Sequence, residues 1–344
     1  MTIDPFELVR AEEMLLGYSA RWWSAPYDVL AVEVEFDAPL IDPDTGEPSR
    51  VFRLAGKIDC ILLERETGFE VLLESKTTSE DATGGSPYWL RTLMSSQLST
   101  YMVGAMSLGY EPKKIVYDVL HRPALRPLKA TPIESRKYKA DGVLHANQRE
   151  VDETPEEFRL RVRASIVADP AKYYNRGSPV MLARDISEAA YDAWHIAELI
   201  HEGREKQRFP RNPDACSGGL NAVCTFLPVC SNGADITDPF RYRRVKYEHE
   251  ELSATRPVHD GYHLPLLTNS QMASFRKCQR LHHWRYDAKV RSLGSTEAQR
   301  AGTLVHNGLE GWWTGKKLGH SEEACLAKAY EYMRRERQPE GAVA

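Results

Sequence analysis

The sequence runs to 344 residues, 42% hydrophobic and 27% charged, with a net charge of −4 and six cysteines. This excludes disordered, collagen-like and fibrous chains, a disulfide scaffold and a uniformly basic nucleic-acid coat, but not an enzyme with a local basic groove. No apolar run approaches the ~18 residues of a membrane span and the first residues are unlike a signal peptide, so the expected setting is the cytosol.

Phe6, Leu8, Val9, Met14, Leu15, Leu16 and Tyr18 give residues 4–24 the periodicity of an amphipathic helix. A strand is expected at 29–36, a hairpin turn at 42–48, and two more strands at 51–63 and 69–76 around Glu66-Thr67-Gly68, forming a β-meander. A polar, Gly-rich loop at 77–86 precedes a helix at 88–108, a strand at 114–120 and a long polar insertion at 122–150 with several basic residues. Helices are expected at 154–168 and 183–207, then a Pro-, Gly- and Asn-rich stretch at 208–235 carrying three cysteines. Residues 253–265 read as a linker between segments 1–252 and 266–344, the second holding helices at 268–286, 296–313 and 321–337.

The most informative stretch is Gly56-Lys57-Ile58-Asp59, followed after fourteen residues by Glu74-Ser75-Lys76. Neighbouring strands lie about 4.8 Å apart, so Asp59 and Glu74 can face one cation. Glu74 and Lys76, two apart, share a sheet face. Paired carboxylates hold Mg²⁺ or Mn²⁺, which lowers the pKa of a bound water and stabilises charge on a phosphodiester. A nearby lysine can orient or deprotonate that water. Solvent-facing charges are the plain alternative, but Asp59 precedes Cys60-Ile61-Leu62-Leu63 and Glu74 follows Val71-Leu72-Leu73, and charges in such apolar strands are paired or functional.

With Gln97 and Tyr101 sharing a helix face downstream, these motifs resemble the PD-(D/E)XK nuclease superfamily, most closely its RecB-type branch, which includes CRISPR-adaptation nucleases and phage exonucleases. The resemblance implies an α/β fold, a restriction-endonuclease-like mixed sheet of four or five strands flanked by helices. It also implies that Asp59 and Glu74 bind metal, Lys76 is catalytic, Gln97 and Tyr101 support substrate, and Ser75 supplies a backbone carbonyl to the metal.

RecB-type domains open with a helix carrying Ser and Cys, then a helix with G-x-x-x-H-x-x-L-E. Here both lie near the other end, as Leu267 to Gln279 with Cys278, and as Gly302 to Glu310 with His306. The resemblance makes His306 a further metal ligand. The order is that of a circular permutation; two truncated domains completing each other in trans, or an assembly artefact, would give the same order.

Cys216, Cys224 and Cys230 lie within fifteen residues of irregular backbone, the kind that wraps thiolates around a metal. The iron–sulfur members of the branch add one cysteine from the opening helix, which makes Cys278 the fourth ligand of a [4Fe-4S] cluster, with structural Zn²⁺ as the alternative. Cys60 and Cys325 read as core residues. Arg276, Lys277 and Arg280, interleaved with aromatic residues, are candidate DNA contacts or one face of an amphipathic helix.

The expected function is a metal-dependent DNA exonuclease in phage or mobile-element recombination, acting in a bacterial or phage-infected cytoplasm. DNA is its partner, with a homo-oligomer or a recombination protein compatible. A non-catalytic DNA-binding or assembly subunit, or a CRISPR-adaptation-type nuclease, is the alternative.

Overall fold

The computed structural model describes residues 3–92, 94–180, 182–217, 223–231, 233–249, 252, 264–294 and 297–335. Asp4 accepts the first amide protons of helix α1 (Pro5–Trp22), and Pro5 presets its first turn. Strands β1 (Tyr27–Ile41), β2 (Pro48–Glu64) and β3 (Glu70–Thr78) form the expected antiparallel meander. Strand β4 (Lys114–His121) lies parallel to β3, and β5 (Tyr174–Gly177), which the sequence reading missed, closes that edge antiparallel to β4. The sheet order is β1-β2-β3-β4-β5, the mixed α/β architecture expected.

Between β3 and β4 the single helix expected at 88–108 is two: α2 (Pro87–Thr92) and α3 (Ser96–Ser107), because Ser95 takes an extended conformation and restarts the chain. Helices α4 (Pro155–Ala168), α5 (Pro170–Tyr173) and α6 (Ala183–Lys206) follow β4 and its long insertion, then the one-turn α7 (Leu227–Cys230) and strand β6 (Tyr242–Arg244). Most of the expected linker, 253–263, lies outside the described residues. The chain returns as β7 (Leu266–Thr268), which pairs in parallel with β2. The helix expected at 268–286 breaks at Cys278, whose extended backbone separates α8 (Asn269–Lys277) from α9 (Gln279–His282). Strand β8 (Val290–Ser292) pairs with β6, and α10 (Glu297–Lys317) and α11 (Glu322–Arg334) end the described chain.

Strands buried on both faces read as continuous apolar runs rather than alternating ones. Cys60, Leu62, Val71 and Leu73 face a layer of α1, α4, α10 and α11 that holds Leu15, Tyr18, Phe158, Trp312 and Trp313. Ile61, Leu72 and Val119 face the other layer, with Leu98, Ala197, Met272 and Phe275. The tryptophan pair is therefore core, as are the fully buried Cys60 and Cys325. Each such side chain contributes about 1.5–3 kcal/mol by leaving water, and both ends of the chain supply them.

Gly104 sets the spacing between α3 and the sheet, because a Cβ there would come within 2.5 Å of the Phe36 ring. Helix propensity alone favours alanine by about 0.5–1 kcal/mol, whereas overpacking costs about 1–3 kcal/mol. Packing wins in this account: Gly104→Ala lowers the urea-unfolding free energy, and a stabilised variant would contradict the tight α3–sheet contact.

Candidate active site

The β2–β3 register pairs Cys60 with Leu73, so Asp59 and Glu74 stand one step further along adjacent strands. They are tied by the Ser75 amide, which donates to Asp59 Oδ2 at 2.8 Å. Glu74 is only 2% exposed. Its Oε1 accepts from the Lys76 ammonium and, at 2.9 Å, from Gln97 Nε2, which also reaches the Tyr101 hydroxyl at 2.9 Å. Gln97 and Tyr101 are held there by α3, and Gly56 opens the way, since a Cβ on it would meet the Phe36 ring at 2.8 Å and Tyr101 at 3.3 Å. The structure thus brings Asp59, Glu74, Ser75, Lys76, Gln97 and Tyr101 into one place.

His306 arrives on α10 from the far end of the same chain. Its Nε2 lies 3.1 Å from Glu33 Oε1, and ligand atoms of Glu33, Asp59 and His306 lie within 4.8 Å of one another. Glu33 went unnoticed in the sequence, although it stands between Val32 and Val34 of β1, which pair with Cys60 and Ile58 on either side of Asp59. Its φ of 50° is left-handed, which costs a non-glycine residue in a strand about 1–3 kcal/mol and is found where surroundings force it. Lys57 forms an ion pair with the same carboxylate.

Electrostatics follow from crowding acids inside the sheet. Burial and the neighbouring carboxylate charge raise the pKa of Glu74, and burial also raises that of Asp59. Burial opposes the Glu33 carboxylate too, but His306 and Lys57 outweigh it and draw its pKa down to about 2. Burial likewise disfavours the His306 imidazolium, yet Glu33 and Asp59 raise its pKa. Lys76 is held charged against burial by Glu74 and Asp59.

The donor set fits a hard divalent cation: carboxylates and an imidazole converge, and the buried Glu74 Oε2 has no hydrogen-bond partner. The tight trio is Glu33, Asp59 and His306 rather than the Asp59, Glu74 and His306 set expected. Glu74 stands beside it, engaged through its other oxygen.

A second cluster lies apart. Cys216, Cys224, Cys230 and Cys278 line one pocket with Phe226 and Leu227, and none forms a disulfide. The Asn212 amide donates to Cys278 Sγ at 3.4 Å, and Asn212 Nδ2 to the Lys277 carbonyl at 2.9 Å, pinning the Cys loop to the break between α8 and α9. Four thiols lining one pocket, with an amide aimed at one of the sulfurs, fit a thiolate-bound metal centre.

The basic stretch at 276–280 is partly committed within the protein. Arg276 reaches Asp192 and Ser96, and Arg280 Nε donates to the Phe209 carbonyl at 2.7 Å, while Lys277 is exposed. Phe275 and Tyr286 are buried and unable to stack on bases.

The sequence model of the PD-(D/E)XK nuclease superfamily matches residues 6–231 and 267–343. The chain belongs to that superfamily of metal-dependent nucleases, and its mixed α/β fold is consistent with it. No curated protein matches it. Among the described residues, no helix is long and apolar enough to cross a membrane.

The trio predicts that Glu33→Gln weakens Mn²⁺ binding by roughly 10- to 100-fold in calorimetric titration. Unchanged affinity would remove Glu33 from the metal site.

Proposed function

We propose that the protein is a Mg²⁺- or Mn²⁺-dependent DNA exonuclease of the RecB type, with its domain written in permuted order along one chain. The observation that carries this reading is that His306, from α10 in the second segment of the chain, stands beside Asp59 and Glu33 while Glu74 and Lys76 flank them.

Asp59, Glu33 and His306 would hold the cation, with Glu74 beside it. When bound, the cation supplies Lewis-acid stabilisation of the phosphodiester and a lowered pKa for water. Lys76, anchored on Glu74, presents a charged donor that orients the attacking water or a phosphate oxygen. Gln97 fixes the Glu74 carboxylate and the Tyr101 hydroxyl, so that α3 positions the acid without itself exchanging protons. The Ser75 amide holds Asp59 Oδ2 and leaves its other oxygen for ligation; the Ser75 carbonyl is a further candidate ligand.

Cys216, Cys224, Cys230 and Cys278 would bind a [4Fe-4S] cluster, stapling the loop after α6 to the segment that follows β7. A Cys₄ zinc site would staple the same segments. The RecB-type resemblance supports end-processing of DNA in phage or mobile-element recombination.

With Mn²⁺, the wild type is expected to degrade linear DNA and spare covalently closed circles, and Lys76→Ala to lose at least 100-fold in rate, the scale of a positioned proton-transfer or charge-stabilising group. Equal rates for wild type and variant would overturn the enzyme reading; cutting of closed circles would overturn the exonuclease. For the cysteines, an anaerobic preparation is expected to be brown and to contain iron. A colourless protein carrying one zinc and no iron would reject the cluster.

A further inference from the structure

The long insertion between β4 and α4 has no role in the site described above, yet it is built with care. Thr131 N–H donates to the Arg149 carbonyl at 2.8 Å, Lys139 N–H to Val143 at 2.8 Å and His145 N–H to Lys137 at 3.1 Å, so the segment doubles back on itself as an arm. Gln148 braces the tip through the Lys137 amide and the Ser135 carbonyl. At the root Arg122 pairs with Glu7 of α1, Arg161 of α4 with Glu153, and Lys129 with Asp152. The arm has almost no core of its own: Ile133 is 79% and Tyr138 52% exposed. The arm is thus held by its own hydrogen bonds rather than by a core, which leaves its exposed side chains available for a use outside the fold.

Its charge indicates which use. Residues 122–149 carry seven Lys and Arg against Glu134 and Asp141, within a chain whose net charge is −4. The acids at 150–153 serve the root through Asp152 and Glu153. At the tip Lys137 and Lys139 are exposed on either side of Tyr138, and among the described residues neither has a carboxylate partner. The arm leaves the sheet at the catalytic end: β4 runs parallel to β3, and the Arg122 amide bonds the Thr78 carbonyl two residues beyond Lys76. Arg122 also lines a crevice with Thr77 and Val305, the chain neighbours of Lys76 and His306.

We propose that this arm holds the DNA strand that feeds the active site, Lys137 and Lys139 contacting phosphates and Tyr138 stacking on an unpaired base. The inference rests on the nuclease reading and adds a second, non-catalytic contact to it. The test uses the full-length protein and a labelled single-stranded DNA in EDTA, followed by cleavage with Mn²⁺. Lys137→Ala/Lys139→Ala is expected to weaken binding about tenfold and to reduce the salt-dependence slope by about 1.4, the value for two phosphates of a single strand. Tyr138→Ala is expected to weaken binding about tenfold with the slope unchanged, as for one stacked base. Lys137→Arg/Lys139→Arg retains wild-type affinity, and in all variants KM rises or holds while kcat is kept. If wild type cleaves DNA and the double alanine variant matches its affinity and slope, the arm proposal falls alone. If wild type neither binds nor cleaves DNA, the nuclease reading falls and the arm with it.

Discussion

Three acids crowded into the middle of a sheet have to be neutralised before the strands that carry them can pack. Glu33 and Asp59 approach to within 4.8 Å, with Glu74 on the next strand. At an effective dielectric of about 20, two like charges at that separation repel by on the order of 3 kcal/mol. The arrangement persists because positive charge is brought to it: Lys57 and Lys76 from the strands themselves, and His306 from α10. The carboxylates that raise the His306 pKa would equally attract a divalent cation, with the imidazole then neutral and ligating. The charge balance of the acidic cluster and the return of α10 to the sheet are therefore one requirement.

Core packing obeys the same geometry. Trp312 of α10 is buried against Tyr18 and Trp23 of the N-terminal segment, and Trp313 is buried edge-on to Trp312, so the helix that carries His306 is seated by the apolar layer behind it. Between the β1–β2 pair and α3, Gly56 and Gly104 allow Phe36 to sit close under Tyr101, which puts Gln97 within reach of Glu74 on β3. Two positions without a Cβ thereby set the distance between an acid on one element and its orienting amide on another.

Much of this was legible in the sequence, and what was not has physical reasons. Asp59, Glu74 and Lys76 could be read because a tight turn makes their strands neighbours, and strand spacing is nearly invariant. That four cysteines would line one pocket could be read because three lie close together and family resemblance supplied Cys278. Glu33 could not, since its place opposite Asp59 depends on a register and a left-handed backbone that no local pattern announces. Nor could the anchoring of Arg276 and Arg280, whose partners Asp192 and the Phe209 carbonyl come from distant segments. The break at Cys278 was hidden because the helical periodicity of 268–286 runs through it, while the thiol's place in the Cys pocket fixes an extended residue there.

On this reading one chain assembles a single divalent-cation site from segments far apart in sequence. Anomalous diffraction at the manganese edge from Mn²⁺-soaked crystals is the decisive measurement. A peak bounded by Glu33, Asp59 and His306 of one chain, with Glu74 adjacent, is expected. A peak at which His306 comes from a second copy, or the absence of manganese from this cluster while it binds elsewhere, would contradict it.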